Sequence, residues 1–452
     1  MRPVPLRGSR ALLLGLGGLC CGLLAACGCR PTTPPAGPVH VTYWEKWTGF
    51  EGEAMRATVK AFNASQDRIQ VQLLTTSQVD RKMLMATAGG IPPDVAGLWS
   101  TNVIPYADKN ALLPLDAYCE KAGLSKADYI SRFWDLCRHR GHVWALPSTP
   151  ASLALHWNRK LFREAGLDPN HPPETIEELD RFARRLTRRD ADGKITQVGF
   201  MPSDPGWWPW AWGCFFGGRL WDGKSRLTAT APENLRAYTW VQSYSKRLGV
   251  KQLQTFSSGF GNFSSPQNPF LSGLVAMELQ GVWMHNFIDK YAHGMEWGAA
   301  PFPYPADRPD LKGTTIVEED VLVIPRGAKH PDEAFEFIRF VNSRRGSELL
   351  NLGQRKFTPL LDVSRPFLTE HPNPYIQVFI DLARSKNARI PPQMPLWQEY
   401  QDELQATFDQ VWLCEKTPEQ ALRDVETRLQ RKLDGDLRRY KRMGMQYGEA
   451  AQ

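Results

Sequence analysis

The segment 141–187, GHVWALPSTPASLALHWNRKLFREAGLDPNHPPETIEELDRFARRLT, limits the possible folds more than any other part of the chain. An apolar, β-prone run at 143–146 is followed by a second at 152–157. A helical block at 159–165 comes next, and Gly166 suits a left-handed C-cap. Pro172 and Pro173 then interrupt the chain, and Thr175 with Glu178 three residues on predicts a capping box for an amphipathic helix. Strand, break, strand, helix, cap, helix is the pattern of a connection between two α/β units. The expectation is that the chain first crosses between two lobes here, with a ligand at the crossing.

A chain of 452 residues is long enough for two or three domains. Its apolar content of 42% and charged content of 23% are those of a globular protein rather than a disordered one. The formal net charge is +7, but Arg2, Arg7, Arg10 and Arg30 cluster near the N-terminus. The remainder is close to balanced, which argues against a nucleic-acid binder.

Those arginines introduce a targeting segment. Three precede an apolar run at 11–26 that is too short for a membrane span of about 20 residues. It ends Leu24-Ala25-Ala26-Cys27, which resembles the bacterial lipobox, whose cysteine is lipidated and becomes the mature N-terminus. The alternative is an ordinary secretory signal cleaved nearby. The expected organisation is a signal peptide at 1–26 and a proline-rich tether at 27–38. Cys20, Cys21, Cys27 and Cys29 lie in or beside this leader. Of the remaining four, Cys119 and Cys137 are near enough in sequence for a disulfide, whereas Cys214 and Cys414 read as isolated core thiols. No CxxC or His/Cys spacing points to a metal site, and no cofactor motif is present.

The body opens with a strand at 40–44, a helix at 51–63, a strand at 69–74, a helix at 80–88 and a loop leading into a strand that ends at Trp99. This rhythm predicts a doubly wound, largely parallel α/β lobe, in which ligands gather beyond the carboxyl ends of the strands. Trp44, Trp47 and Trp99 fall there. The chain has sixteen tryptophans, and the densest group is Pro205-Gly206-Trp207-Trp208-Pro209-Trp210-Ala211-Trp212-Gly213. An indole offers a flat apolar face to the C–H face of a sugar ring and an N–H to a hydroxyl, although some of these rings must also fill a core.

Several stretches resemble the extracellular solute-binding proteins of ABC importers, in the sugar-binding group typified by maltose-binding protein. They are GGIPPDVAGLWSTNVIPYADKNALLPLDAY, VWALPSTPASLALHWNRKLFREAGLDPNHPPETIEELDRFARRLT, VAMELQGVWMHNFI, VLVIPRGAKHPDEAFEFIRFVNS and RIPPQMPLWQEYQDELQATFDQVWLCEKTPEQALRD, in the family's order. The resemblance implies two discontinuous α/β lobes with a hinge and a central cleft, of the type II periplasmic-binding-protein kind. The first lobe would be 39–148 with 319–362, and the second 149–318 with 363–445. Crossings would lie near 147–151, 316–320 and 360–365, and the last two helices, 396–414 and 418–433, would pack in the second lobe. The chain departs from the family where Glu318-Glu319-Asp320 replaces a common Gly-Gly, where His156-Trp157-Asn158 replaces Tyr-Tyr-Asn, and where Ile176 replaces a Trp.

The resemblance and the residue types together nominate a ligand site. Its aromatic candidates are Trp44, Trp47, Trp99, Trp157, Trp207, Trp208, Trp210, Trp283 and Trp397, with Gly281 beside Trp283. Its polar candidates are Glu45, Ser100, Asn158, Asp204, Glu319, Asp320 and Arg355, while Glu318 reads as a solvated carboxylate. Trp134, Trp144, Trp221, Trp240, Trp297 and Trp412 read as packing residues. A buried site built to bond hydroxyls rejects solutes that lack them. The resemblance further implies a monomer, exported and lipid-anchored through Cys27, that delivers a sugar to the transmembrane subunits of a permease. The competing expectation is a secreted carbohydrate-active hydrolase, which needs two acids across the scissile bond, with Glu45 and Glu319 as the pair.

Overall fold

Along β1 (Val39–Glu45) burial alternates, with Val41, Tyr43 and Glu45 turned inward, as a strand covered on one face requires. In this computed structural model, which describes residues 37–262, 264–445 and 447, β1 is the centre of a parallel set. β2 (Ile69–Thr75) lies on one side and β3 (Val95–Trp99) on the other. Helices α1 (Gly49–Ala64) and α2 (Val79–Ala88) make the connections. Helix α1 buries Ala54, Met55, Val59 and Phe62, the spacing of one face laid on a sheet.

The crossing segment departs from expectation. Instead of two strands with a break, β4 (Leu146–Asn158) is one strand of 13 residues, all buried. The chain continues through β5 (Ile195–Phe200), β6 (Val275–Gly281), β7 (Trp297–Ala300) and β8 (Thr315–Val323). Residues 146–152 of β4 pair with β8 alone, whereas 153–158 pair with β6 and β7. Pro147 and Pro150 both fall in the half paired on a single edge, and Pro147 sits beside a register shift between Asp320 and Val321. A residue without an N–H is tolerated at such places, so the prolines do not end the strand.

The main sheet therefore runs β2–β1–β3–β8–β4–β6–β5. One set of apolar side chains, including Tyr43, Phe62, Leu322 and Phe337, packs against the β1–β3 half. Another, including Leu155, Phe200, Met277 and Tyr400, packs against the β5–β6 half. The two α/β lobes share β4 and β8 as their connecting strands.

Local signals in 158–187 reappear with one change. Asn158 caps α3 (Arg159–Glu164), its side chain accepting from the Leu161 N–H at 3.1 Å, and Gly166 takes the left-handed conformation at φ 67°. Thr175 caps α4 (Ile176–Leu186). Glu178 accepts from the Glu174 N–H rather than that of Thr175, so the expected capping box is half made. Helices α5 (Trp397–Trp412) and α6 (Pro418–Arg442) pack on the second set. Cys119 and Cys137 are buried free thiols, and Cys414 is exposed rather than a core residue. The expected signal peptide, Cys27 and most of the tether lie outside the described residues. Among the described residues no helix is long and apolar enough to cross a membrane.

Candidate functional site

Where β4 and β8 run side by side, their side chains open into a cavity of about 460 Å³. Thr149 stands opposite Asp320, and Ala151 opposite Glu318; all four line it. Trp99 and Ser100, at the carboxyl end of β3, form one wall with Trp47 from the loop after β1. The facing wall is Trp207, Trp208 and Trp283. Lys356, Glu319, Thr101, Glu51 from the first turn of α1, and Gln398 and Gln401 from α5 complete the lining.

The indoles are held at defined angles. Trp47 meets Trp99 edge-on, with centroids 6.5 Å apart. Trp283 packs against Trp207 at 6.1 Å and Trp208 at 6.0 Å. Gly281 makes room for that ring, since a Cβ there would lie 2.4 Å from the Trp283 indole. The indole N–H groups of Trp47 and Trp283 have no acceptor among the described residues, whereas Trp208 donates to Glu318 Oε1 at 2.9 Å.

The charges alternate. Lys46 Nζ lies 3.5 Å from Glu45 Oε1 and 3.2 Å from Asp320 Oδ1. Lys356 Nζ lies 3.8 Å from Asp320 Oδ2 and 3.3 Å from Glu51 Oε1. The two ammonium groups sit over the Trp47 ring, at 4.9 and 5.6 Å from its centroid, a cation–π arrangement. Burial works to lower the Lys46 pKa, but Asp320 and Glu45 outweigh it and the group stays charged. The acids move the other way. Burial raises Glu51 despite Lys356, and burial with Asp320 drives Glu319 well above the carboxylate range. Burial takes Glu318 to about 7, opposed by the Trp208 N–H. Apolar ring faces, free indole donors and carboxyl groups of both protonation states can thus meet a polyhydroxylated solute on several sides.

Of the residues nominated from the sequence, Trp47, Trp99, Ser100, Trp207, Trp208, Trp283, Glu319 and Asp320 are brought together here. The others stand elsewhere. Trp157, Trp210 and Trp397 are buried in the second lobe: Trp157 donates to the Pro169 carbonyl, and Trp210 meets Trp397 edge-on at 5.0 Å. Trp44 packs against an apolar set on the first lobe. Asn158 is spent on its helix cap. Glu45 is buried under Lys46 with its carboxylate bonded by Tyr43 and is absent from the cavity wall, so it does not face Glu319 across it. Arg355, in the left-handed region at φ 55°, pairs with Asp289 at 2.6 Å. Asp204 lies behind the tryptophan turn against Glu278, which burial and Asp204 keep well above the ordinary range.

Glu318 corrects the reading of a solvated carboxylate, because it is half-buried and bonded to Trp208. Glu51, Thr101, Thr149, Ala151, Lys356, Gln398 and Gln401 were not nominated at all. Glu51 had a readable signal, since it precedes Ala54 and Met55 by three and four residues and so shares their buried face. No group of three or more metal-ligating side chains occurs among the described residues.

Residues 49–348 match the bacterial extracellular solute-binding protein family. The chain belongs to that family. Among solved structures, CpMnBP1 with mannobiose bound superposes with a TM-score of 0.77 at 27% identity, covering 86% of this chain and 99% of that one. An ABC substrate-binding protein from Listeria monocytogenes in complex with cycloalternan gives 0.73 at 20%, covering 90% and 100%, which shows the fold alone. The sn-glycerol-3-phosphate-binding periplasmic protein of Pectobacterium atrosepticum is 21% identical over 419 residues, 84% of this chain and 88% of its own. The comparisons place the chain among bacterial extracellular solute-binding proteins with a two-lobed fold, and its cavity lies on the strands that join the lobes.

Proposed function

We propose that this solute-binding protein captures a neutral or cationic carbohydrate between its lobes and delivers it, without turnover, to the permease subunits of an ABC importer. The observation that carries the proposal is the pairing of opposed indole walls with a carboxyl-rich floor in one cavity. Glu51, Glu318, Glu319 and Asp320 face it with Lys356 as the one basic group in the wall. The ammonium groups of Lys46 and Lys356 are already engaged by Glu45, Asp320 and Glu51. This leaves no unspent positive charge for a phosphate dianion and favours a sugar or amino sugar over an anionic solute such as glycerol phosphate. The mannobiose-bound CpMnBP1 supports a small oligosaccharide.

Capture follows from the shared strands. A ligand touching Trp99 on one wall and Trp283 on the other stabilises the closed arrangement by its differential affinity for the two states. Lobes at 39–148 with 319–362 and 149–318 with 363–445 fit the apolar packing. Ile130, Phe133 and Phe357 of the first meet Ala151, Val282 and Phe379 of the second in one apolar seam. The leader supports export and anchoring of a monomer through lipid on Cys27, with more than one acyl chain needed for stable attachment. Anchoring would raise the protein's effective concentration at the permease.

The test is calorimetric titration with mannobiose, mannotriose, maltotriose and a glucosamine disaccharide, followed by chromatography of the recovered sugar. Saturable binding of one of them, lost in Trp47→Ala and with the sugar recovered intact, is expected. Cleavage of the sugar would favour a hydrolase built on two of the cavity acids.

A further inference from the structure

A second cavity, of about 120 Å³, shares no wall residue with the aromatic one. One water needs only about 10–15 Å³, so this space admits a small polyatomic solute. Three guanidinium side chains from separate segments line it: Arg132, Arg219 and Arg389. Arg132 lies in the helix Ser131–Leu136, and Arg389 on a two-residue strand beside Thr315 and Ile316 of β8.

Arg389 and two indoles set the chemistry of this wall. The ionisable neighbours acting on Arg389 are the Cys214 thiol, Arg219 and Arg132, with no carboxylate among them. Burial holds its guanidinium below the ordinary arginine range, and the two other arginines push the same way. The one acid in the wall, Asp222, is committed to its own turn, its Oδ1 accepting from the N–H groups of Lys224, Ser225 and Arg226 at 2.7, 2.8 and 3.0 Å. Trp210 and Trp221 also line the cavity. They are 2% and 6% exposed, and their indole N–H groups have no acceptor among the described residues. A desolvated donor without an acceptor is unfavourable, and so is a half-buried guanidinium among like charges. Arg389 donates to the Lys386 carbonyl at 3.4 Å, which leaves its charge without a carboxylate. The wall thus supplies positive charge beside two indole donors that have no acceptor among the described residues.

We propose that this cavity is a second binding site of the protein, for a small tetrahedral oxyanion, free or as the terminal group of a phosphate monoester. Arginine suits it because its planar fork bonds two oxygens of one oxyanion. The indole N–H groups of Trp210 and Trp221 supply the neutral donors, and the cavity's size favours the free ion.

The experiment is calorimetric titration of the protein with sulfate, inorganic phosphate, glycerol 3-phosphate and acetate, with chloride added to hold ionic strength constant. The variants are Arg219→Gln, Arg389→Gln and Trp221→Phe. Saturable binding of sulfate or phosphate at one site per chain is expected, weakened at least ten-fold in each variant, with acetate weaker. Tighter binding of glycerol 3-phosphate than of phosphate would assign the site to the ester; the reverse would assign it to the free ion. Arg219 is exposed, so its variant folds even where Arg389→Gln does not, and its carbohydrate titration is expected to match wild type. No saturable response to any oxyanion, a response equalled by chloride, or undiminished binding in Arg219→Gln would overturn the proposal. Because none of these residues lines the aromatic cavity, failure here leaves the carbohydrate proposal standing, and the converse also holds.

Discussion

Replacing Glu318 by Gln isolates one electrostatic cost built into the cavity floor. The carboxyl is half-buried, and burial raises it from 4.5 to about 7, with the Trp208 N–H opposing and Asp320 adding. In that interval the folded protein holds a proton that the unfolded chain has released. Stability from this group is therefore highest below the unfolded value and falls as pH rises towards 7. At about 1.4 kcal/mol per pH unit, the interval from 4.5 to about 7 is worth about 3 kcal/mol. Glutamine keeps an oxygen for the Trp208 N–H and never ionises. Urea unfolding of wild type and variant at pH 4.5, 6 and 8 is expected to show a stability difference that grows in the variant's favour by about 3 kcal/mol across the range. The other acids titrate in both proteins and cancel. A constant offset between the two curves would refute the assignment of an uncompensated, desolvated carboxyl to Glu318.

Other perturbations probe the rest of the site. Trp283→Ala removes a cavity ring that already sits partly open, and is expected to weaken carbohydrate binding at least ten-fold, about 1.4 kcal/mol, with circular dichroism unchanged. Lys356→Met leaves Glu51 without its ammonium partner and Asp320 with Lys46 alone. Loss of one partner of a buried pair costs about 3–5 kcal/mol; thermal unfolding should show it at pH 7.5 and show a loss that shrinks as the pH is lowered, because burial already raises Glu51 and its protonated form needs no partner. Gly97→Ala would place a Cβ 2.2 Å from Glu45 Oε2. Overpacking of that kind costs about 1–3 kcal/mol, read as a lower urea midpoint.

Much of the fold was legible because helices and strands carry their periods locally. The stripe Ala54, Met55, Val59 and Phe62, the N-cap Thr175 and the left-handed Gly166 all act within a few residues of themselves. What sequence reading missed depends on partners far along the chain. Pro147 and Pro150 signal a break only if β4 is paired on both edges, and which edges are free is set by β8, more than a hundred residues on. In the turn 205–213, adjacent indoles face different ways: Trp207 and Trp208 enter the cavity, while Trp210 and Trp212 enter the core. Nothing in the spacing distinguishes them. At Gln354-Arg355-Lys356 the stretch was right and the residue wrong, because the left-handed turn at Arg355 sends that side chain to Asp289 and leaves Lys356 to the cavity. Glu318 read as a surface acid because its burial comes from Trp208, on a segment remote from it in sequence.

A thermal unfolding screen of the protein against neutral oligosaccharides, amino sugars, polyols and glycerol 3-phosphate bears on the carbohydrate site as a whole. A compound supplied at 100 times its dissociation constant stabilises the native state by about 2.7 kcal/mol. The expected result is a raised melting temperature with one neutral or cationic carbohydrate, recovered unchanged, and a stabilisation of Trp283→Ala cut to about 1.4 kcal/mol or less. Silence across every carbohydrate, or an equal shift in Trp283→Ala, would contradict a carbohydrate held between the indole walls.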